Sequence, residues 1–271
     1  MKGLTTMASV DVDIKKLLEA GAHFGHKTSR WHPAMRPFIH GKRGDTHIID
    51  LTKTVEGLEG ALAAITETVA KGGTVLVVST KRQARDSILK LAEDTGMPYV
   101  VNRWLGGMMT NKKTMGERIK YLKKQEDRMA SGELEAKYAK LEVQRLQEEI
   151  DAMNVMYGGI KDMGGTPQIL FVVDILHDKN AVAEATTLGI PVVGLVDTNG
   201  DPRTIKYPVA CNDDALKTID LVCDYVKQAV ELGQSQAKQA PAETKKTDKP
   251  AEKPTKTEEK EPAKEEKKED K

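Results

Sequence analysis

Histidines cluster near the start of the sequence at spacings that raise the question of a metal site. Five of the six lie between His23 and His47, with His26 and His32 among them. Structural zinc normally takes four ligands in recognisable pairs. The spacing of His23, His26 and His32 is loose, and neither a cysteine nor a carboxylate lies among these three. We therefore predict that these histidines pack within the fold or lie at a binding surface, and we expect no metal and no cofactor.

Two aspartates, Asp174 and Asp197, each end an apolar run that predicts a strand. In enzymes with a parallel sheet, the carboxyl ends of the strands carry the ligand. A catalytic site would also need a nucleophile, a base and a group that orients the base, and the sequence brings no such set together. Asp197 opens D-T-N-G-D-P, which has the composition of a turn. We predict capping or turn roles for both aspartates and no enzymatic activity.

Three of the glycine pairs in the sequence suggest a nucleotide-binding loop: Gly106-Gly107, Gly158-Gly159 and Gly164-Gly165. None of them forms G-x-G-x-x-G between a strand and a helix, and the sequence contains no G-x-x-x-x-G-K-[ST] loop. We interpret the pairs as points of backbone freedom at sharp junctions. A nucleotide-fold enzyme stays open as an alternative, and a nucleotide bound tightly to the purified protein would support it.

Basic side chains grouped around tryptophans give the strongest chemical signal. Such groups suit phosphate contact combined with base stacking. Thr80 is expected to cap a helix over 81–94, whose first backbone N–H groups would also attract phosphate. The predicted RNA-contact residues are Arg30, Trp31, Arg36, Lys42 and Arg43; Lys81 and Arg82; and Arg103, Trp104, Lys112, Lys113, Arg118 and Lys120.

The net charge of +1 hides an uneven distribution of charged residues. Residues 24–120 contain 16 Lys and Arg against 9 Asp and Glu, whereas residues 121–240 contain 13 against 19. A chain polarised in this way can present a basic face to phosphates although its total charge is near zero. The distribution therefore permits nucleic-acid binding, which the net charge alone would argue against.

Strand and helix patterns alternate along most of the chain and must position these residues. The apolar runs at 74–79, 99–101, 169–174 and 191–197 predict strands, and 207–210 predicts a last short one. Helical patterns lie between them and after them, with Asp213 as the cap of the final helix, which is expected to end near Glu231. Residues 38–40 and 47–50 predict a hairpin of two strands. The alternation indicates an α/β fold in which helices cover both faces of a parallel sheet.

The alternation is interrupted between Asn111 and Tyr157 by two apolar seams of heptad type, which predict an antiparallel coiled-coil helical hairpin turning at Gly132. After Gln234 there is no Leu, Ile, Val, Phe, Tyr or Trp, so we predict a disordered tail. We divide the chain into the first part of an α/β domain at 1–110, an inserted hairpin at 111–157, the second part of the α/β domain at 158–233, and the tail at 234–271.

Cys211 and Cys223 are expected to be reduced, unreactive thiols, as in a cytoplasmic protein. No apolar run approaches the roughly 20 residues that cross a bilayer, and the N-terminus lacks the apolar core of a signal peptide. These features predict a cytoplasmic protein that does not contact a membrane.

Several motifs together resemble the family of the second protein of the small ribosomal subunit, in its bacterial form. They follow the family's order from about Ile14 to Val230, and R-W-L-G-G-M-x-T-N is the most specific. The motifs are A-H-F-G-H at 22–26, R-W-H-P at 30–33, H-I-I-D-L-T-K-T at 47–54, T-K-R-Q-A at 80–84, N-R-W-L-G-G-M-M-T-N at 102–111, G-G-I-K-D-M at 158–163, G-I-P-V-V-G-L-V-D-T-N at 189–199 and N-D-D-A at 212–215.

The resemblance implies a Rossmann-like (flavodoxin-like) three-layer α/β domain with an inserted coiled-coil hairpin. It also implies a structural protein of the bacterial small ribosomal subunit that binds ribosomal RNA. The expected partners are small-subunit ribosomal RNA and neighbouring ribosomal proteins, including the largest one, which is built of OB-fold repeats. DNA, membranes and a second copy of the chain are not expected as partners. A coiled-coil adaptor acting away from the ribosome stays open as an alternative, and sedimentation apart from small subunits would support it.

Overall fold

Apolar runs of four or five residues form the inner strands of a parallel sheet in the computed structural model, which describes residues 10–239. The sheet has five strands in the order β5-β4-β6-β7-β8, all parallel. A second, antiparallel sheet has the order β1-β3-β2. The strands are β1 (Phe24–Lys27), β2 (Ile39–Arg43), β3 (Thr46–Ile49), β4 (Val75–Val78), β5 (Tyr99–Val100), β6 (Ile169–Val172), β7 (Val192–Val196) and β8 (Tyr207–Ala210).

Within residues 10–239, eight α-helices connect and cover these strands: α1 (Ile14–Ala20), α2 (Leu51–Ala70), α3 (Arg85–Thr95), α4 (Lys112–Ala130), α5 (Glu133–Lys137), α6 (Lys140–Tyr157), α7 (Lys179–Thr187) and α8 (Leu216–Gln239). Every residue of β4, β6 and β7 is buried, because both faces of the sheet are covered. The predicted three-layer α/β fold is therefore confirmed.

The two faces of the large sheet are covered in different ways. On one face, Val75 and Val77 pack in a core with residues of α1, α2, α3 and α8. On the other face, Leu76 and Val78 pack with α7 and with segments that are mostly not helical, around Met35 and Trp104. The second face is thus covered largely by the segments that carry the predicted RNA-contact residues.

The small sheet confirms the predicted hairpin of β2 and β3 and adds a strand that the sequence did not predict. No strand was predicted before residue 38, but Phe24 lies opposite Ile48 in the β1–β3 pair, and two short 3-10 turns cover 28–30 and 33–38. The four residues of β1, Phe-Gly-His-Lys, carry no alternating apolar pattern, so strand propensity gave no signal there.

Two predicted helix caps are wrong. Thr80 does not cap α3, because its hydroxyl and backbone N–H donate to Asp178 at 2.7 Å and 3.0 Å, and the helix begins only at Arg85. Asp213 does not cap α8, because its carboxylate accepts from Lys81 at 2.8 Å. Asn212 instead accepts from the backbone N–H groups of residues 214 and 215.

Residues 112–157 form three helices where two were predicted, since the short α5 follows Gly132. Leu122 of α4 is fully buried against Ile150 and Met153 of α6. The second predicted seam, which includes Ala139 and Leu146, is less complete nearer the turn, because Leu146 is half-buried and Ala139 is exposed. The described residues belong to one compact unit, so a coiled-coil hairpin that behaves as a separate domain stays a prediction.

The last helix extends past the predicted start of the tail. α8 continues to Gln239, because Gly233 lies close to α2 and the side-chain amide of Gln234 donates to the carbonyl of Thr95 at 3.0 Å. The rest of the predicted tail, 240–271, lies outside the described residues. Between residues 10 and 239, no helix is both long and apolar enough to cross a membrane.

Candidate nucleic-acid interface

One buried cluster joins the two main groups of predicted RNA-contact residues. Met35 and Ile49, from the segment that carries the first group, share this core with Trp104, Met109 and Met115, from the segment that carries the second. The two segments are about seventy residues apart in sequence, yet both are anchored on the same face of the large sheet. Their charged side chains are therefore held by a common support.

In the first group, Arg30 and Arg36 are exposed in the 3-10 turns, and Lys42 and Arg43 are exposed on β2. Trp31 keeps 37% of its surface accessible and lies against His47, with ring centroids 5.4 Å apart. His47 is opposite Lys42 in the β2–β3 pair. This arrangement brings an accessible aromatic ring close to a cation-bearing strand, as stacking next to phosphate contact requires.

In the second group, Arg103 lies in the segment between β5 and α4, and Lys112, Lys113, Arg118 and Lys120 lie on α4. All five are exposed. Lys112 and Lys113 begin α4, whose N-cap is Asn111; its side-chain oxygen accepts from the backbone N–H of Thr114. The free backbone N–H groups of this first turn add to the attraction of two lysines for an anion.

Trp104 is not available for base stacking, which corrects its assignment as an RNA-contact residue. Only 7% of its surface is exposed, and its indole N–H donates to Glu184 of α7 at 3.0 Å. The ring packs in the core with Met108 and Met109. Trp104 therefore anchors the segment that carries Arg103 but does not itself face a partner.

Lys81 is not available for phosphate contact either. Its ammonium lies 2.6 Å from Asp214, 2.8 Å from Asp213 and 3.3 Å from Asp174, at the carboxyl edge of the large sheet. Burial, followed by the negative charge of Asp174, raises the pKa of Asp213 to about 7. The ammonium is thus held by an excess of carboxylates. Arg82 is exposed in the turn beside it.

His26 connects the small sheet to the same edge. Its Nδ1 lies 3.0 Å from Asp197 and its Nε2 lies 3.6 Å from Asp214. The backbone N–H of His26 donates to the hydroxyl of Thr198 at 2.8 Å. The hydrogen bond to Asp197 raises the pKa of His26, and burial opposes this shift. Any side chain at position 25 would collide with Thr198, which is why the strand carries glycine there.

The carboxyl edge is therefore held by internal contacts. Asp174 also accepts from the backbone N–H groups of residues 176 and 177, and Asp197 accepts from that of Thr198. These contacts agree with the predicted turn roles and add ion-pair roles that were not predicted. Cys211 and Cys223 are buried, and burial raises both thiol pKa values, so neither is a reactive thiolate. Among residues 10–239 no group of three or more His, Cys, Asp and Glu is arranged to hold a metal ion.

Sequence reasoning missed Glu184, whose carboxylate accepts five hydrogen bonds from residues 104–110. It is a single acidic residue within the predicted α7, and its spacing carries no signal. His26 and Asp197 lie in two of the motifs that carry the family resemblance, but their contact across the sheet edge is visible only in the fold.

The sequence model of the family described as "Ribosomal protein S2" matches residues 17–233. The small ribosomal subunit protein uS2 of Ruegeria sp. (strain TM1040) is 50% identical over 230 residues, which are 84% of this chain and 89% of the relative. The uS2 of Gluconobacter oxydans (strain 621H) is 47% identical over 249 residues, 88% of this chain and 93% of the relative. With most of its length matched in this way, the chain belongs to the ribosomal protein S2 family.

Proposed function

We propose that this chain is a structural constituent of the small ribosomal subunit and binds small-subunit ribosomal RNA through one composite basic surface. The relatives named above carry the name of a small-subunit protein, which supports this assignment. The composite basic surface consists of Arg30, Trp31, Arg36, Lys42, Arg43, Arg103, Lys112, Lys113, Arg118 and Lys120.

The shared core beneath the two segments is the observation that carries the proposal. Met35 and Ile49 pack in one cluster with Trp104 and Met115, so the cations above them keep a fixed spacing. Phosphates in folded RNA are also held at fixed spacings, and a rigid set of cations meets them with little loss of side-chain and loop entropy. Phosphate contacts would fix the register of the protein on the RNA, while Trp31 offers a face for an unpaired base.

The carboxyl edge of the sheet supports a role that is not enzymatic. Folds of this type bind substrates and nucleotides at that edge. Here Lys81 is surrounded by Asp174, Asp213 and Asp214, and His26 closes the neighbouring strand end on Asp197. A ligand would have to displace these ion pairs. The fold thus serves as a scaffold for the composite basic surface.

Neighbouring ribosomal proteins are the second class of partner in this proposal, including the largest small-subunit protein with its OB-fold repeats. α6 exposes several acidic residues, among them Glu142, Glu148, Glu149 and Asp151. Because these charges repel phosphate, this helix suits a contact with protein or solvent. We propose that the protein acts in the cytoplasm as one copy on the ribosome, without a second copy of itself, DNA or a membrane as partner.

Replacing Arg30, Arg36, Arg103 and Lys112 by Ala tests the composite basic surface. We expect weaker binding to purified small-subunit ribosomal RNA and a smaller salt dependence, by roughly one unit in the logarithmic slope for each phosphate contact removed. In a sucrose gradient of cell extract, the tagged variant should shift from the small-subunit fractions towards free protein.

A matched control removes four exposed lysines from the opposite face of the large sheet, Lys15, Lys16, Lys90 and Lys217. It changes the net charge by the same amount, so a general charge effect would weaken binding equally in both proteins. Equal effects would refute the composite basic surface. Wild-type protein that sediments apart from small subunits would refute the ribosomal role itself.

A further inference from the structure

The carboxylate of Glu184 lies at the centre of the segment that joins β5 to α4. Its Oε1 accepts from the indole N–H of Trp104 at 3.0 Å and from the backbone N–H of Gly107 at 2.8 Å. Its Oε2 accepts from the backbone N–H of Met109 at 3.0 Å and from the N–H and hydroxyl of Thr110, both at 3.1 Å. One side chain of α7 therefore satisfies five donors of a segment without regular secondary structure.

These donors do not have an alternative set of partners in a helix or a sheet. Gly107, whose N–H donates to Glu184, has a φ of +85°, a conformation that glycine adopts without strain. The carbonyl of Gly107 then accepts from the N–H of Asn111 at 2.8 Å, and Asn111 caps α4. Glu184 is thus connected to the first turn of α4 through Gly107 and the Asn111 cap.

The cations lie on either side of this centre. Arg103 precedes Trp104 directly, and Lys112 and Lys113 follow the Asn111 cap directly. All three side chains are exposed, while Glu184 is half-buried and lies on the inner side of the segment. Burial disfavours its charged form, but the hydrogen bonds from Trp104 and the backbone outweigh this effect and lower the pKa of Glu184. It therefore stays ionised at neutral pH.

We infer that Glu184 is a positioning residue of the RNA-binding surface: it fixes the distance between Arg103 and the lysine pair at the start of α4. This inference rests on the proposed function. An internal anion performs here the task that a bound phosphate performs at glycine-rich loops, which is to gather backbone N–H groups on one side. The opposite side of the segment is then left to the cations that meet external phosphates.

Replacing Glu184 by Gln separates positioning from electrostatics, because the two predict opposite signs. The variant removes one negative charge close to the composite basic surface, so electrostatics alone predicts equal or tighter RNA binding. Positioning predicts weaker binding, because the side-chain NH₂ of Gln would face either the Trp104 and Gly107 donors or those of Met109 and Thr110. We expect roughly a tenfold loss of affinity, which corresponds to ~1.4 kcal/mol.

The experiment measures the affinity of the full chain for purified small-subunit ribosomal RNA at several salt concentrations. Amide hydrogen exchange of Gly107, Met109 and Thr110 is followed in the same protein. Glu117→Gln is the matched control, since it removes an exposed carboxylate on α4 that has the same charge. We expect the three amides to lose protection only in Glu184→Gln, together with weaker binding, and Glu117→Gln to bind as the wild type or slightly more tightly.

Several further outcomes are decisive. Unchanged or tighter RNA binding by folded Glu184→Gln overturns the inference, and so does retained protection of the three amides. If Glu184→Gln does not fold, Trp104→Phe serves as the test, because it removes only one of the five donors to Glu184. It should weaken RNA binding by a smaller factor, and unchanged binding overturns the inference. The double variant Arg103→Ala with Lys112→Ala shows whether a negative result contradicts the proposed function or only the positioning role of Glu184. If it too binds normally, the proposed function fails; if it binds weakly, only the positioning role of Glu184 fails.

Discussion

Nδ1 of His26 lies 3.0 Å from the carboxylate of Asp197, and this contact joins the small antiparallel sheet to the end of β7. Across the same junction, the backbone N–H of His26 donates to the hydroxyl of Thr198. The small sheet carries Lys42 and Arg43, so the stability of this junction bears on the composite basic surface.

The His26–Asp197 contact predicts a pH dependence of stability. The hydrogen bond raises the pKa of His26 above its ordinary 6.5. The stabilisation is therefore fully present below pH 6.5 and is lost as the pH rises through the higher pKa of the folded state. His26→Gln should flatten the fall in Tm between pH 6 and 8, measured by thermal unfolding. His40→Gln, an exposed histidine on β2, should retain the wild-type profile; equal flattening in both variants would contradict the prediction.

Gly159 is predicted to be essential for covering the edge of the large sheet. A Cβ at this position would clash with the backbone carbonyl oxygen of Tyr99 on β5. Since backbone cannot move aside as a flexible side chain can, Gly159→Ala should lower the free energy of unfolding by about 1–3 kcal/mol. Gly164→Ala is the control, because a Cβ there would meet nothing within 4 Å. Urea unfolding of both variants measures the difference, and equal stability would show that the short 3-10 turn at residues 158–160 adjusts freely.

The packing of α4 against α6 depends on Leu122, which is fully buried. Leu122→Ala should lower the free energy of unfolding by about 2–5 kcal/mol, because it leaves a cavity between the helices. If these helices unfold as a separate unit, hydrogen exchange will increase at 112–157 and remain slow in β4 and β6. Leu141→Ala changes a leucine that is 60% exposed and should have little effect. Cooperative loss of protection throughout the chain would instead make the helices part of the main core.

Charge reversal at the start of α4 is predicted to weaken RNA binding without unfolding the protein. Lys112→Glu with Lys113→Glu places two carboxylates where two exposed cations meet the helix N-terminus. Affinity for small-subunit ribosomal RNA should fall roughly tenfold or more, and the logarithmic salt slope should decrease by about two. Lys15→Glu with Lys16→Glu on α1 reverses the same number of charges on the other face. An equal loss in both proteins would assign the effect to net charge.

The sequence predicted the elements whose signal is local. The runs that form β4, β6 and β7 are continuously apolar because both faces are buried, and this pattern requires no knowledge of neighbours. The basic groups around Trp31 and on α4 were likewise visible in composition, and the structure leaves them exposed. β1 was missed because its four residues carry no alternating apolar pattern, and its contacts with β3 and Thr198 are visible only in the fold.

Long-range polar partners were the main source of error. Lys81 and Trp104 have the residue types of RNA contacts, and only the fold reveals that Asp213 and Glu184 already bind them. Those partners are 132 and 80 residues away in sequence. A charged or aromatic side chain carries the same local signal whether its partner is internal or external, so no pattern in a single sequence distinguishes the two.

The shared core of the two basic segments has a consequence for the synthesis of the chain. Arg30 and Arg36 leave the ribosome early, but the support beneath them needs Met109 and Met115, and the segment around Trp104 needs Glu184. β4 also lacks its partner in the centre of the sheet until β6 has been synthesised. A nascent chain shorter than about 190 residues therefore carries its cations without the geometry that spaces them. Under the proposed function, selective binding of RNA therefore begins only when about two thirds of the protein has been made.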